Sequence, residues 1–237
     1  MTNSQLIEYR DGDTLLEGYL AKGKPSSSKK PAVIVVHDWS GKNDFACRKA
    51  DALAELGYIG FALDMYGKGI IGNTKEEKSA LIQPLMQDRY QLQQRILAAF
   101  NTVKKIPDVD PHKIAAIGFC FGGLCVLDLA RTGADIAGVV SFHGLLGAPD
   151  NLPAPHIKSK VLVLHGYDDP MATPDQVITF CNDMTTAKAD WQLYMYGNTM
   201  HAFTNPQAND PAFGTVYNST ADSRSWQAMV DFFKEIL

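Results

Sequence analysis

Cysteine is scarce, with four residues in 237, at positions 47, 120, 125 and 181. None stands in a C-x-x-C pair or at zinc-ligand spacing, and four are too few for a disulfide scaffold. Structural zinc, a dithiol redox centre and a disulfide-stapled domain are therefore set aside. Positive charge is not in excess either. Lys and Arg number 22 against 26 Asp and Glu, a formal net charge of −4, which leaves no basic footprint for nucleic acid. No apolar run reaches the length of about eighteen residues that a membrane span needs. The opening MTNSQLIEYRDGD lacks a basic stretch followed by an apolar one, so no signal peptide is expected and a reducing cytoplasm is the expected compartment. No internal repeat is visible, and the only low-complexity piece, KGKPSSSKK at 22–30, reads as a short solvated loop.

What is present is ample apolar material. Hydrophobic residues make up 46% of the chain and charged residues 20%, a globular balance that at this length suits one large domain, 1–237. LIEYRDGDTLLEGYL (6–20) places a D-G turn between two alternating stretches, an antiparallel hairpin. Beyond the loop, β-branched runs such as AVIVVH (32–37) predict strands buried on both faces. Further strands are predicted at 58–64, 113–119, 136–143, 160–166 and 191–197. Helices are predicted at 45–56, from about 121, near 174–186 and in the amphipathic C-terminal stretch from a Thr/Asp cap onward. This alternation specifies an α/β fold, a mostly parallel central sheet with helices on both faces. Ligands in such sheets sit beyond the carboxyl ends of the strands, that is, just after 37, 64, 119, 143, 166 and 197. The stretch 65–105 reads as a helical insertion, broken at Pro84, and as a candidate lid.

One of those strand ends carries Gly118-Phe119-Cys120-Phe121-Gly122. This is the G-x-S-x-G pattern of a strained strand-to-helix nucleophile turn, with sulfur in place of the hydroxyl. Glycines are needed there because larger side chains would strike the neighbouring strand and helix. The helix N-terminus behind Cys120 favours a thiolate. A buried structural cysteine is the competing reading. A nucleophile needs a base and a group that orients the base. In chain order this turn is followed by an acid and then a histidine. HGYDDP supplies Asp168 and Asp169 at one strand end, and NTMHAFTNP supplies His201 at the next.

With the cysteine turn, the H-G-Y-D-D-P segment and the M-H-A-F loop together, the chain from about residue 30 onward resembles the dienelactone hydrolase family of α/β-hydrolases. The resemblance implies a catalytic triad of Cys120, Asp169 and His201, with Asp169 preferred to Asp168 because the family's acid directly precedes the segment matching Pro170-Met171-Ala172. It places Asp38 where members carry a carboxylate that hydrogen-bonds the resting thiol, although aspartate is one methylene shorter than the common glutamate. A turn-stabilising role for Asp38 stands beside that one. Backbone N–H groups of Phe121 and Trp39 are the expected oxyanion donors. Asn205 stands where members that take dienelactones carry a carboxylate-binding arginine, and Arg89 is the substitute to be placed.

These readings add up to a hydrolase of small esters or lactones working through an acyl-enzyme. No cofactor or metal is expected. The partner is a small molecule, with neither nucleic acid nor membrane, in a monomer or small homo-oligomer. His37, His143 and His165 fall at strand ends but lack short ligand spacing. No G-x-G-x-x-G is read after a strand, against a dinucleotide enzyme. A non-catalytic small-molecule-binding protein on the same scaffold is the alternative.

Overall fold

The computed structural model describes residues 2–150 and 157–237. The chain opens with a hairpin, β1 (Asn3–Asp11) and β2 (Thr14–Lys22), turned at Gly12 with φ 54°. There follow β3 (Lys30–Val36), α1 (Asp44–Glu55), β4 (Ile59–Ala62), α2 (Lys75–Gln87), α3 (Arg89–Val103) and β5 (Val109–Phe119). After the sharp turn at Cys120 come α4 (Phe121–Arg131), β6 (Gly138–Phe142), β7 (Lys160–Gly166), α5 (Pro174–Thr186) and β8 (Trp191–Tyr196). The chain closes with a small hairpin, β9 (Asn209–Asp210) and β10 (Thr215–Val216), and the long helix α6 (Ser219–Ile236).

The main sheet has eight strands in the order β1-β2-β4-β3-β5-β6-β7-β8, antiparallel only where β1 meets β2 and β2 meets β4. Period-two alternation divides the buried strands between two cores. Ala32, Ile34 and Val36 of β3 face the layer of α3, α4 and α5, whereas Val33 and Val35 face α1 and α6. Burial on both sides explains why these strands read as unbroken apolar runs.

Two sequence expectations shift. Pro84 does not break its helix; it lies inside α2, and the break falls at Asp88, whose φ/ψ of −114°/86° leaves the helical region. Asp88 then caps α3 by accepting from the Gln91 N–H at 3.0 Å, so the helix ends where a side chain can satisfy the next helix's free donors. The C-terminal helix is likewise capped by Asn218, which accepts from the Ala221 N–H, rather than by the Thr/Asp pair that follows.

Candidate active site

Five parallel crossings bring six strand ends to one edge of the sheet. The segments beyond β3, β5, β6, β7 and β8 deliver Asp38 and Trp39, Cys120, His143, Asp169 and His201 in turn. Cys120, Asp38, Trp39, Phe121, His143, His201 and Asn205 all line one cavity of about 610 Å³.

Cys120 has φ 55° and ψ −115°, a conformation that costs an L-residue on the order of 1–3 kcal/mol. Packing enforces it. A Cβ on Gly118 would run into the Gly122 carbonyl, and one on Gly122 would run into the carbonyl of Val36. The strand, the turn and α4 thus approach as closely as backbone permits, and the glycines on both sides are a steric requirement. The Cys120 N–H is shared between the Phe142 carbonyl at 3.1 Å and His143 Nδ1 at 3.2 Å. Cys120 is half-buried; Cys125, one turn along α4, is fully buried, and burial pushes its thiol well above the ordinary range.

His201 and Asp169 meet at 2.7 Å, Nδ1 to Oδ2, and both are buried. The other carboxylate oxygen accepts from the Met171 N–H at 2.8 Å, so the acid is held at both ends. Asp168, by contrast, is exposed and contributes its backbone N–H to the Thr199 carbonyl. His201 Nε2 is buried and has no hydrogen-bond partner among the described residues. Burial depresses the basicity of His201. The Cys120 sulfur and the Asp169 carboxylate outweigh it, and the imidazole is pushed up to about 10. The His201 backbone is pinned by β9–β10, accepting from the Val216 N–H at 3.1 Å and donating to the Gly214 carbonyl at 3.0 Å.

Asp38 accepts from the Ser40 N–H at 2.8 Å, the turn-stabilising contact, and no hydrogen bond joins it to Cys120 among the described residues. The N–H groups of Phe121 and Trp39 have no protein acceptor among the described residues. Phe121 opens α4, where the first turn's donors have no intrahelical partner. Arg89 is not in the cavity. Its guanidinium forks onto Asp128 with two bonds of 2.7 Å, in a buried network that includes Arg131.

The remaining strand-end histidines are each occupied. His37 donates Nδ1–H to the Asp38 carbonyl and accepts from the Met65 N–H at 3.1 Å. His143 accepts from Cys120, which leaves Nε2–H for the Thr204 hydroxyl at 2.8 Å. His165 bonds the Ala172 carbonyl through Nε2. Burial holds all three below the usual imidazole range, His201 adding to the effect at His143. One reading of the sequence is corrected here. Gly67-Lys-Gly-Ile-Ile-Gly72 does carry the G-x-G-x-x-G spacing after β4. Four of its six N–H groups are committed within the protein: Gly67 to Asp64, Lys68 to the Leu15 carbonyl, Ile70 to the Gly67 carbonyl and Gly72 to the Ser40 carbonyl.

Sequence reasoning missed two contributors. Tyr66 donates its hydroxyl to the Trp39 carbonyl at 3.0 Å and stacks on Phe121 at 6.0 Å, touching both residues expected to supply oxyanion donors. His143 ties the Cys120 backbone to the loop of His201 through Thr204. Neither belongs to a spacing motif, and only their placement in space marks them.

A mostly parallel sheet with a strained strand-to-helix turn at one carboxyl edge defines an α/β-hydrolase. The comparison with known proteins agrees: the model of the dienelactone hydrolase family matches residues 16–237. The chain belongs to that family, and with it to the hydrolases of esters and lactones. It is similar over 99% of its length to the crystal structure of a dienelactone hydrolase-like promiscuous phosphotriesterase from metagenomic libraries, at 36% identity and a TM-score of 0.93, covering 98% of that chain. An uncharacterized protein of Caenorhabditis elegans is 38% identical over 61% of this chain and 93% of its own. A provisionally named carboxymethylenebutenolidase of Escherichia coli strain K12 is 24% identical over 94% of this chain and 83% of its own. Among the described residues no helix is long and apolar enough to cross a membrane.

Proposed function

We propose that the chain hydrolyses small esters or lactones through a Cys120–His201–Asp169 triad. The observation that carries this reading is the buried His201–Asp169 pair, whose Nε2 has no hydrogen-bond partner among the described residues and whose histidine lines the same cavity as Cys120. The Cys120 thiol gives its proton to His201 Nε2, and the sulfur attacks the substrate carbonyl carbon. The N–H groups of Phe121 and Trp39 hold the oxyanion as it forms. On collapse the C–O bond to the leaving group breaks, and His201 passes its proton to the departing alkoxide. A water molecule then enters and gives a proton to His201 as its oxygen attacks the thioester. On the second collapse the C–S bond breaks, the acid is released and His201 returns the proton to the Cys120 sulfur. Asp169 orients His201 throughout and stabilises the imidazolium.

The proposal extends to the whole chain acting as one domain, with α2 supplying Lys75, Lys78 and Ile82 to the cavity wall. Asp38 is proposed to hold the loop that carries the Trp39 N–H. The two lysines are matched in formal charge by Asp38 and Asp210, also in the wall. Asn205 uses its carbonyl oxygen on the Gln207 N–H, so a full guanidinium-like anchor for an anion is missing. Neutral small esters and lactones are the proposed substrates. The phosphotriesterase activity named for the metagenomic neighbour makes aryl phosphotriesters a second panel, since the same donors suit a phosphoryl oxygen. The test is a screen of aryl esters, lactones and phosphotriesters with the native chain and with Cys120→Ala. Turnover that survives in the alanine variant sinks the mechanism.

A further inference from the structure

Two aromatic rings from distant parts of the chain line the cavity together. Trp39, beyond β3, stacks on Phe213, in the β9–β10 hairpin, with ring centroids 5.7 Å apart and planes 16° from parallel. Each ring also carries an ammonium group. Lys75 Nζ lies 4.3 Å from the Phe213 centroid and Lys78 Nζ lies 5.6 Å from that of Trp39. Both distances are within the range of cation–π attraction. The two lysines are neighbours at i and i+3 on α2, so one helix face supplies both.

Every part of this arrangement is anchored. Lys75 is also paired with Asp210 at 2.8 Å, and Asp210 accepts from the Phe213 N–H at 3.0 Å. Lys78 makes no ion pair among the described residues, which leaves its charge to the Trp39 ring. The hairpin is locked from behind. Gly214, with φ 83°, sits so tightly that a Cβ there would enter the Pro170 ring, and its carbonyl accepts from the His201 N–H. On the other side the Tyr66 hydroxyl holds the Trp39 carbonyl. A ring pair capped by cations and tied to both the histidine loop and the oxyanion loop is held in place.

We propose that Trp39 and Phe213, clamped by Lys75 and Lys78, form the specificity-determining wall of the site, admitting narrow groups to the Cys120 sulfur and turning away wide aromatic ones. The proposal rests on the reading of Cys120 as the reactive thiol of this cavity. The discrimination would come from the two rings, which line the cavity together with Cys120 and are in contact with each other.

The test needs no substrate. Alkylation of Cys120 by N-ethylmaleimide and by N-(1-pyrenyl)maleimide, which share one electrophile and differ in width, is followed by peptide mapping, with Cys47 as internal control. In the native chain the pyrenyl reagent is expected to lag far behind at Cys120. Phe213→Ala is expected to raise the pyrenyl-to-ethyl rate ratio at Cys120 by about tenfold or more, the scale on which pocket size discriminates. Phe213→Tyr, which keeps the ring, is expected to restore the native ratio, and Lys75→Met to give an intermediate one. An unchanged ratio in Phe213→Ala that still unfolds cooperatively overturns the wall, as does an equal rise at Cys47. A Cys120 that reacts no faster than Cys47 with the ethyl reagent overturns the catalytic reading instead, and the ratio still judges the wall.

Discussion

His201 Nδ1 and Asp169 Oδ2 lie 2.7 Å apart, at residues 1% and 2% exposed, while the adjacent Asp168 is exposed. Two neighbouring aspartates of identical chemistry are thereby separated into a buried partner and a surface group. Asp169→Asn is expected to lower kcat by about 10³–10⁴-fold through loss of imidazole orientation, as removal of a triad carboxylate does. Asp168→Asn is expected to leave stability within about 0.5 kcal/mol, as at other surface sites. Steady-state kinetics on both variants with one aryl ester checks the pair, and a larger defect in Asp168→Asn would move the acid by one residue.

The backbone of Cys120 stores strain, with φ 55° and ψ −115°. Replacing it with alanine removes the sulfur but keeps a Cβ at φ 55°, whereas glycine relieves the conformation at some entropic cost. Both variants are expected to be inactive. Cys120→Gly is expected to exceed Cys120→Ala in stability by about 1 kcal/mol, or about 2–4 °C in Tm for a chain of this size. Equal melting temperatures would mean that the strain is absorbed elsewhere.

Tyr66 touches both residues proposed to supply the oxyanion donors, Trp39 and Phe121. Tyr66→Phe keeps the ring on Phe121 and removes only the hydrogen bond to the Trp39 carbonyl. If that bond sets the Trp39 N–H, kcat should fall by about tenfold or more with KM little changed, as expected when transition-state stabilisation alone is weakened. A defect confined to KM, or to thermal stability, would give Tyr66 a packing role.

The histidines set the dependence of stability on pH, and they act in opposite directions. His37, His143 and His165 have folded pKa values below the unfolded value. Their contribution is complete above about 6.5 and is lost as pH falls below it, because the unfolded chain binds protons that the fold refuses. His201 is raised to about 10; its contribution is complete below about 6.5 and fades as pH rises toward 10. Stability measured by denaturant titration should therefore be greatest near neutral pH and fall on both sides. The alkaline fall should shrink in Cys120→Ala, which removes the sulfur that helps raise His201. An NMR titration of His201 that does not move in that variant would refute the coupling between the two groups.

Arg89 gives a prediction about stability, not substrate. Its partner Asp128 is fully buried, and removing one member of a buried pair costs about 3–5 kcal/mol. Arg89→Ala should accordingly lower Tm sharply. At a temperature where it remains folded, its preference between a carboxylated lactone and the matching amide should be native. A selective loss of the carboxylated substrate would place Arg89 in the site after all.

The sequence by itself determined the framework of this protein. Unbroken β-branched runs separated by helical stretches can be buried only as a sheet covered on both faces, and that sheet places its ligand edge after known residues. The glycine spacing around Cys120 was legible because only residues without a Cβ tolerate the approach of Gly118 to Gly122 and of Gly122 to Val36. The choice of Asp169 came from resemblance; spacing alone left two aspartates. Tertiary structure decided what depends on direction and burial. It turned Asp169 inward and Asp168 outward, committed Arg89 to Asp128, and gave the Asp38 carboxylate to Ser40. It also assembled Tyr66, His143 and the Trp39–Phe213 pair beside Cys120 from segments as far apart as residues 39 and 213. A one-dimensional pattern records which face of an element is apolar. Which distant side chains share a hydrogen bond or a ring face is set only when the strands have taken their order in the sheet and the loops beyond them converge.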